Sequence, residues 1–153
     1  MKKVFVLSIF CILISCSKIS PAKFWQDFHS DLIITENSDQ GPFGGTAEII
    51  WDNNLQNIDK SDFLKFAFEN GWNLKDSLKV KNGILNENSS DFSFQLINQN
   101  NLINSDFKDA TIYIFQTDLL KLKADTEIST ENNAFLFINK ENSKLKMFNI
   151  WGE

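Results

Sequence analysis

Apolar residues are distributed along this chain in three regimes. The first is an unbroken apolar run from Val4 to Ile14, set behind Lys2 and Lys3. The second is helical. Phe24, Phe28 and Leu32 recur at helical spacing behind Pro21, which suits a first turn, and this predicts a helix to about Leu32 with Ile33-Ile34 readable as strand. The stretch Thr35–Thr46, TENSDQGPFGGT, is polar and rich in Gly, which predicts a loop, and TAEIIW after it predicts a strand. A second polar connection, DNNLQNIDKS, leads to the clearest helix, SDFLKFAFENGW. Asp59 or Ser61 can cap it, and Phe63, Phe66 and Ala67 with Leu64 and Phe68 form its apolar face. Asn70-Gly71 supplies a left-handed stop.

From Trp72 the period changes to two. LKVK-NG-ILN carries the Asn-Gly of a two-residue hairpin. FSFQL alternates as a strand would. TIYIF and NAFLFIN are apolar on both faces, as central strands are, and AFLFIN-KENS-KLKMFNIW closes the chain as a hairpin. The expected fold class is α+β: an antiparallel sheet of about five to six strands with two helices packed on one face.

The opening run changes the picture of where the chain resides. Val4 to Ile14 is about half the roughly 20 residues that a spanning helix needs, so it reads as an export signal. Both cysteines, Cys11 and Cys16, lie in or beside it. A disulfide across so short a loop gains little, and a metal site lacks ligands, the one histidine being the distant His29. Leu13-Ile14-Ser15-Cys16 resembles the lipobox of bacterial lipoproteins, with Ile14 where Ala or Ser is commoner. The resemblance implies that Cys16 is lipidated and becomes the first mature residue, while Cys11 leaves with the signal; an ordinary cleaved signal peptide is the alternative. Residues 1–15 are then signal peptide, 16–23 the lipidated N-terminus and tether, and 24–153 a single α+β domain. The implied setting is the bacterial cell envelope, at the outer membrane facing the periplasm, with the membrane as a partner through the N-terminal lipid. The folded part, with GPFGG, ENGW and IWGE, is similar only to small envelope lipoproteins of no assigned activity.

Charge narrows the partners. The formal net charge is −5, and about −7 once Lys2 and Lys3 are gone; every basic residue is Lys and none is Arg. An acidic chain without the planar guanidinium fork is a poor ligand for nucleic acid or, through its folded part, for anionic headgroups. An AT-rich codon usage also accounts for the missing Arg and the many Asn, Lys, Ile and Phe. A protein or glycan partner remains.

Candidate chemistry is sparse. Gly41-Pro42-Phe43-Gly44-Gly45-Thr46 lacks the Lys and following helix of a phosphate loop, and reads as a tight turn with Gly at positive φ. Ser–His–acid catalysis would have to use His29, a surface helix residue on this pattern. Asp52, Asp59 and Asp62 lie near one another without the Gly and final Glu of a calcium loop. No catalytic residue, metal or cofactor is expected. Phe43, Trp51, Trp72 and Trp151 fall at element ends, where they either form an aromatic binding rim or close the edge of a Phe-rich core. The expected role is non-enzymatic binding from a lipid anchor. An immunity or inhibitor lipoprotein against a toxin or lytic enzyme is one alternative, and a carboxylate-dependent glycan hydrolase the other.

Overall fold

The computed structural model describes residues 21–42, 44–53, 58–85, 92–117 and 133–152. Its strands are β1 (Ile33–Gln40), β2 (Gly44–Asp52), β3 (Trp72–Lys81), β4 (Ile84–Leu85), β5 (Ala110–Thr117), β6 (Ala134–Asn139) and β7 (Lys144–Gly152), and its α-helices are α1 (Lys60–Glu69) and α2 (Phe92–Gln99). The strands form one open sheet in the order β1-β2-β7-β6-β5-β3-β4, with every pairing antiparallel. The fold is therefore α+β, with seven strands among the described residues rather than five or six.

The β6–β7 hairpin sits inside the sheet between β2 and β5, which explains its composition. Both faces of β6 are covered, so all six residues of AFLFIN are buried. Phe135 and Phe137 point to one face and Leu136 and Ile138 to the other. Burying a side chain of this size contributes roughly 1.5–3 kcal/mol.

The two helices lie on opposite faces, not on one. On the first face, Ile49 and Trp51 of β2, Leu145 and Met147 of β7, Leu136 of β6 and Phe115 of β5 pack under Phe63 and Ala67 of α1 and under Trp25 and Phe28 near the N-terminus. On the second face, Phe148, Phe135, Phe137, Ile112 and Ile114 pack under Leu96 and Ile97 of α2 and under Phe107 of the short 3₁₀ turn Ser105–Phe107. β3 changes the core it serves partway along its length. Trp72 pairs with Thr117 and Leu74 with Phe115, but the register shifts before Asp76, which pairs with Ile114. The extra residue, Lys75, exchanges the faces. Trp72 consequently lies in the first core, and Leu78 and Val80 in the second.

Three expected elements differ. FSFQL is helix: Ser93, Leu96 and Ile97 are buried while Gln95 and Asn98 are exposed, the i, i+3, i+4 pattern of α2. The first helix is instead two 3₁₀ turns, Lys23–Asp27 and Ser30–Leu32. Between them Phe28 is extended and His29 left-handed at φ 42°, and the first turn has no side-chain cap. The polar stretch Thr35–Gln40 is strand, because β1 is a sheet edge whose residues are mostly solvated and need not be apolar.

The turns follow their sequence signals. Asp59 Oδ1 accepts from Ser61 N–H at 2.8 Å and caps α1, and Gly71 stops it at φ 83°. Asn82 and Gly83 both have positive φ, 53° and 77°, as a type I′ hairpin turn demands. The glycines of GPFGG act differently. Neither Gly44 nor Gly45 is at positive φ, yet a Cβ on Gly44 would lie 2.2 Å from the Trp151 carbonyl oxygen, and one on Gly45 would lie 2.3 Å from that of Asp39. Their role is close approach of β2 to both neighbouring strands.

At the far end of β5, the side chains of Thr117 and of Asn133, the residue before β6, are hydrogen-bonded at 2.9 Å. Asn133 Nδ2 also donates to the Ile150 carbonyl at 2.6 Å, and Asn149 Nδ2 to the Asn133 carbonyl at 3.2 Å. These bonds hold the start of β6 against β7.

Candidate functional site

Trp51, Trp72 and Trp151 come together, but inside the molecule. They are 1 %, 1 % and 5 % exposed and belong to one buried cluster. The residue that joins two of them is Trp25, whose ring centroid lies 5.9 Å from that of Trp51 and 5.5 Å from that of Trp72. Sequence position gave no hint of Trp25, which stands beside the stripe Phe24, Phe28 and Leu32 of the expected first helix. Trp51 Nε1 donates to the Phe28 carbonyl at 2.7 Å, so its polar handle is spent on the fold. The arrangement closes a core and offers no aromatic rim. Phe43 and Cys16 lie outside the described residues. His29 is exposed and packs its ring against Phe28, 4.5 Å between centroids.

The groove that merits attention is on the second face, where α2 stops short of the β1–β2 edge. It encloses about 320 Å³, at the lower end of the range of small-ligand sites. Asn37 and Asp39 of β1, Thr46 and Glu48 of β2 and Asn100 after α2 supply its polar wall, and Phe148 with Leu102 its apolar floor. The strand register explains the grouping. Asn37 pairs with Glu48 and Asp39 with Thr46, so four polar side chains stand at alternate positions on one face of two adjacent strands. Amides, a hydroxyl and carboxylates around an aromatic floor can receive sugar hydroxyls or a cationic peptide. β1 is the terminal strand of the sheet among the described residues, so the groove runs beside a sheet edge.

Beneath this groove lies a feature the sequence left unmarked. Lys146, the third residue of β7, is 2 % exposed. Its ammonium donates to the Leu102 carbonyl and stands 4.5 Å from the Phe137 ring centroid and 5.1 Å from that of Phe107. Burial pulls its pKa down to about 8, against the opposing pull of the Glu48 and Asp106 carboxylates. Cation–π contact and one carbonyl replace its water shell. The Lys-x-Lys spacing of KLK could have pointed to it, since Lys144 and Lys146 must share a face. Lys144 is the partly exposed member, bridging Asp106 at 3.3 Å and Asp52 at 3.4 Å. The hydrogen bond that Lys144 donates to Asp106, reinforced by the charge of both acids, raises its pKa. These two acids are thus turned onto an ammonium. Asp59 is committed to the α1 cap, so the trio Asp52, Asp59 and Asp62 forms no common site.

Among the described residues no three His, Cys, Asp or Glu stand together as a metal site, and no helix is long and apolar enough to cross a membrane. No protein-family model, curated protein or solved structure matches the chain.

Proposed function

We propose that the chain is a lipid-anchored protein of the bacterial cell envelope that binds a partner, without chemistry, in the groove beside β1. Leu13-Ile14-Ser15-Cys16 supports the anchor, with Cys16 as attachment point. Pro21 and Ala22 are already buried, so four residues separate Cys16 from the fold, at most roughly 17 Å of extended chain over the five steps from Cys16 to Pro21. Ala22 and Lys23 lie against Ala47 and Ile49 of β2 and Glu36 of β1. The groove-bearing edge is therefore the part of the sheet nearest the tether.

What carries the binding role is one juxtaposition: a polar groove with an aromatic floor, running along a sheet edge. Glu36, Asp39 and Glu48 make that edge acidic, which favours a basic protein partner and speeds its encounter. An immunity or inhibitor lipoprotein facing a basic toxin or lytic enzyme is the narrower form. The two parts have separate tests. Fatty-acid-analogue labelling is expected in the wild type and absent in Cys16→Ala; equal labelling refutes the anchor. In-cell crosslinking from Ser38 is expected to yield a discrete adduct that Asp39→Lys/Glu48→Lys abolishes. An adduct indifferent to those charges refutes the groove.

A glycan hydrolase is favoured by one observation only, that Asp39 and Glu48 line the same groove. It requires release of reducing ends from peptidoglycan by the wild type and none by Glu48→Gln.

A further inference from the structure

We propose a second binding site, for a phosphate-bearing polyanion, at the opposite end and on the other face of the sheet. A groove of about 350 Å³ lies where β3, β5 and the β6–β7 turn meet, lined by Lys79, Lys81, Lys140, Asp109, Thr111 and Asn142. The strand period fixes two of these cations. Val80 between Lys79 and Lys81 is buried in the second core, so both lysines project from the first face, about 7 Å apart. Lys79 pairs with Thr111, which places a hydroxyl between the ammonium groups and the β5–β6 seam. Lys140 reaches the groove from the turn, where its backbone N–H donates to the Asp109 carbonyl at 2.9 Å.

Three observations together point to an anion. First, none of the three lysines has an ion pair among the described residues, whereas Lys65 and Lys144 do. Second, the one acid in the lining is already engaged: Asp109 Oδ1 accepts from Asn82 N–H at 3.0 Å and so holds the β3–β4 turn. Third, the cationic strip continues up the same face. Lys60 stands 5.0 Å from the Tyr113 ring centroid, and Tyr113 pairs with Ser77, two residues along β3 from Lys79. In a chain of net charge −5, three lysines lining one concavity, with Lys60 farther along the same face, are a local reversal of the overall field. Lysine ammoniums act as mobile point charges rather than planar forks, which suits clustered phosphates of variable geometry better than a single carboxylate. The site is independent of the β1 groove, lying several strands away across the sheet.

The ligand can come from solution or from a lipid headgroup, and two arms separate these. In the first, the full chain in non-ionic detergent is titrated with inorganic pyrophosphate by calorimetry. Saturable binding is expected, about fivefold weaker for each lysine neutralised, so roughly a hundredfold weaker in Lys79→Gln/Lys81→Gln/Lys140→Gln. Lys65→Gln should bind as wild type, and the triple Lys→Arg variant should retain binding, which separates loss of charge from loss of fold. In the second arm, flotation of the Cys16→Ala chain is compared on phosphatidylcholine vesicles with and without phosphatidylglycerol, and the increment is compared with that of the triple Gln variant. Pyrophosphate binding that needs the three lysines assigns a soluble phosphate, and a phosphatidylglycerol increment that needs them assigns a headgroup. If neither signal depends on Lys79, Lys81 and Lys140, the site does not exist.

Discussion

Replacing Lys146 with Met tests the energetics of the second core most directly. Met matches the aliphatic stem in volume and carries no charge. The fall of the Lys146 pKa from 10.5 to about 8 corresponds to about 3 kcal/mol by which the folded state disfavours the ammonium. The sign follows from proton counting. Below pH 8 the amine is charged in both folded and unfolded chains, and the folded state bears the whole cost. Between pH 8 and 10.5 the unfolded chain holds a proton that the folded chain has released, so wild-type stability rises with pH across that window. Above 10.5 both forms are neutral and the slope vanishes. Lys146→Met lacks this term. Its stability relative to wild type should be greatest near pH 7 and fall by about 3 kcal/mol by pH 10.5. The Leu102 carbonyl, left unpaired, costs roughly 1–3 kcal/mol, but at every pH alike. Lys144 has a raised pKa, so its stabilisation is complete below 10.5 and is lost above it. It is present in both proteins and cancels in the difference. Urea unfolding at pH 6.5, 8, 9.5 and 10.5, followed by the fluorescence of the buried tryptophans, measures the comparison. A difference that stays constant from pH 7 to 10.5 would show that Lys146 is solvated, and that the tightly packed second core described above is wrong.

Other substitutions probe the first face and its margins. Gly45→Ala should destabilise by more than about 2 kcal/mol, since the new Cβ meets main chain on one side and the Trp151 ring at 2.8 Å on the other. Gly41→Ala, whose nearest contact would be 3.7 Å, should stay within about 0.5 kcal/mol; equal thermal shifts for the two would remove the close-approach argument. Trp51→Phe should cost about 1–3 kcal/mol more than Trp72→Phe, because only Trp51 donates a bond, to Phe28, whereas Trp72 Nε1 has no partner among the described residues. Asp59→Ala should cost about 1 kcal/mol through loss of the α1 cap, and Asp59→Asn much less, both read by denaturant midpoint.

Elements whose cause is local were legible in the sequence. The Asn82-Gly83 turn, the Asp59-capped helix with its Gly71 stop, and the doubly apolar strands at Thr111–Phe115 and Ala134–Asn139 each carry their reason in a few neighbouring residues. The elements missed depend on what lies across the sheet. β1 is polar because it is an edge, and edge status is a property of topology. FSFQL alternates over three apolar residues, too few to separate a period of 2 from the i, i+4 pair Phe92–Leu96. The exchange of faces at Lys75 leaves only even-numbered buried positions, Trp72, Leu78 and Val80, which look like one continuous strand face. The candidate sites were less legible still. Tryptophans at element ends were compatible with a rim or with a closed core edge, and the packing of Trp25 on Trp51 and Trp72 and of Phe28 on Trp51 depends on contacts distant in sequence. The polar groove is assembled from Asn, Asp, Thr and Glu that are individually unremarkable until register aligns them. Two of the lysines at the basic groove flank Val80 in sequence, and the third comes from a turn about sixty residues on.

The hydrogen bond between Thr117 and Asn133 has a mechanical consequence. It pins the end of β5 to the start of β6 through side chains. The pairing of Phe115 with Ala134 is thereby held in register from within the sheet, so loss of the Asn133 side chain would release the ends of β5 and β6 together.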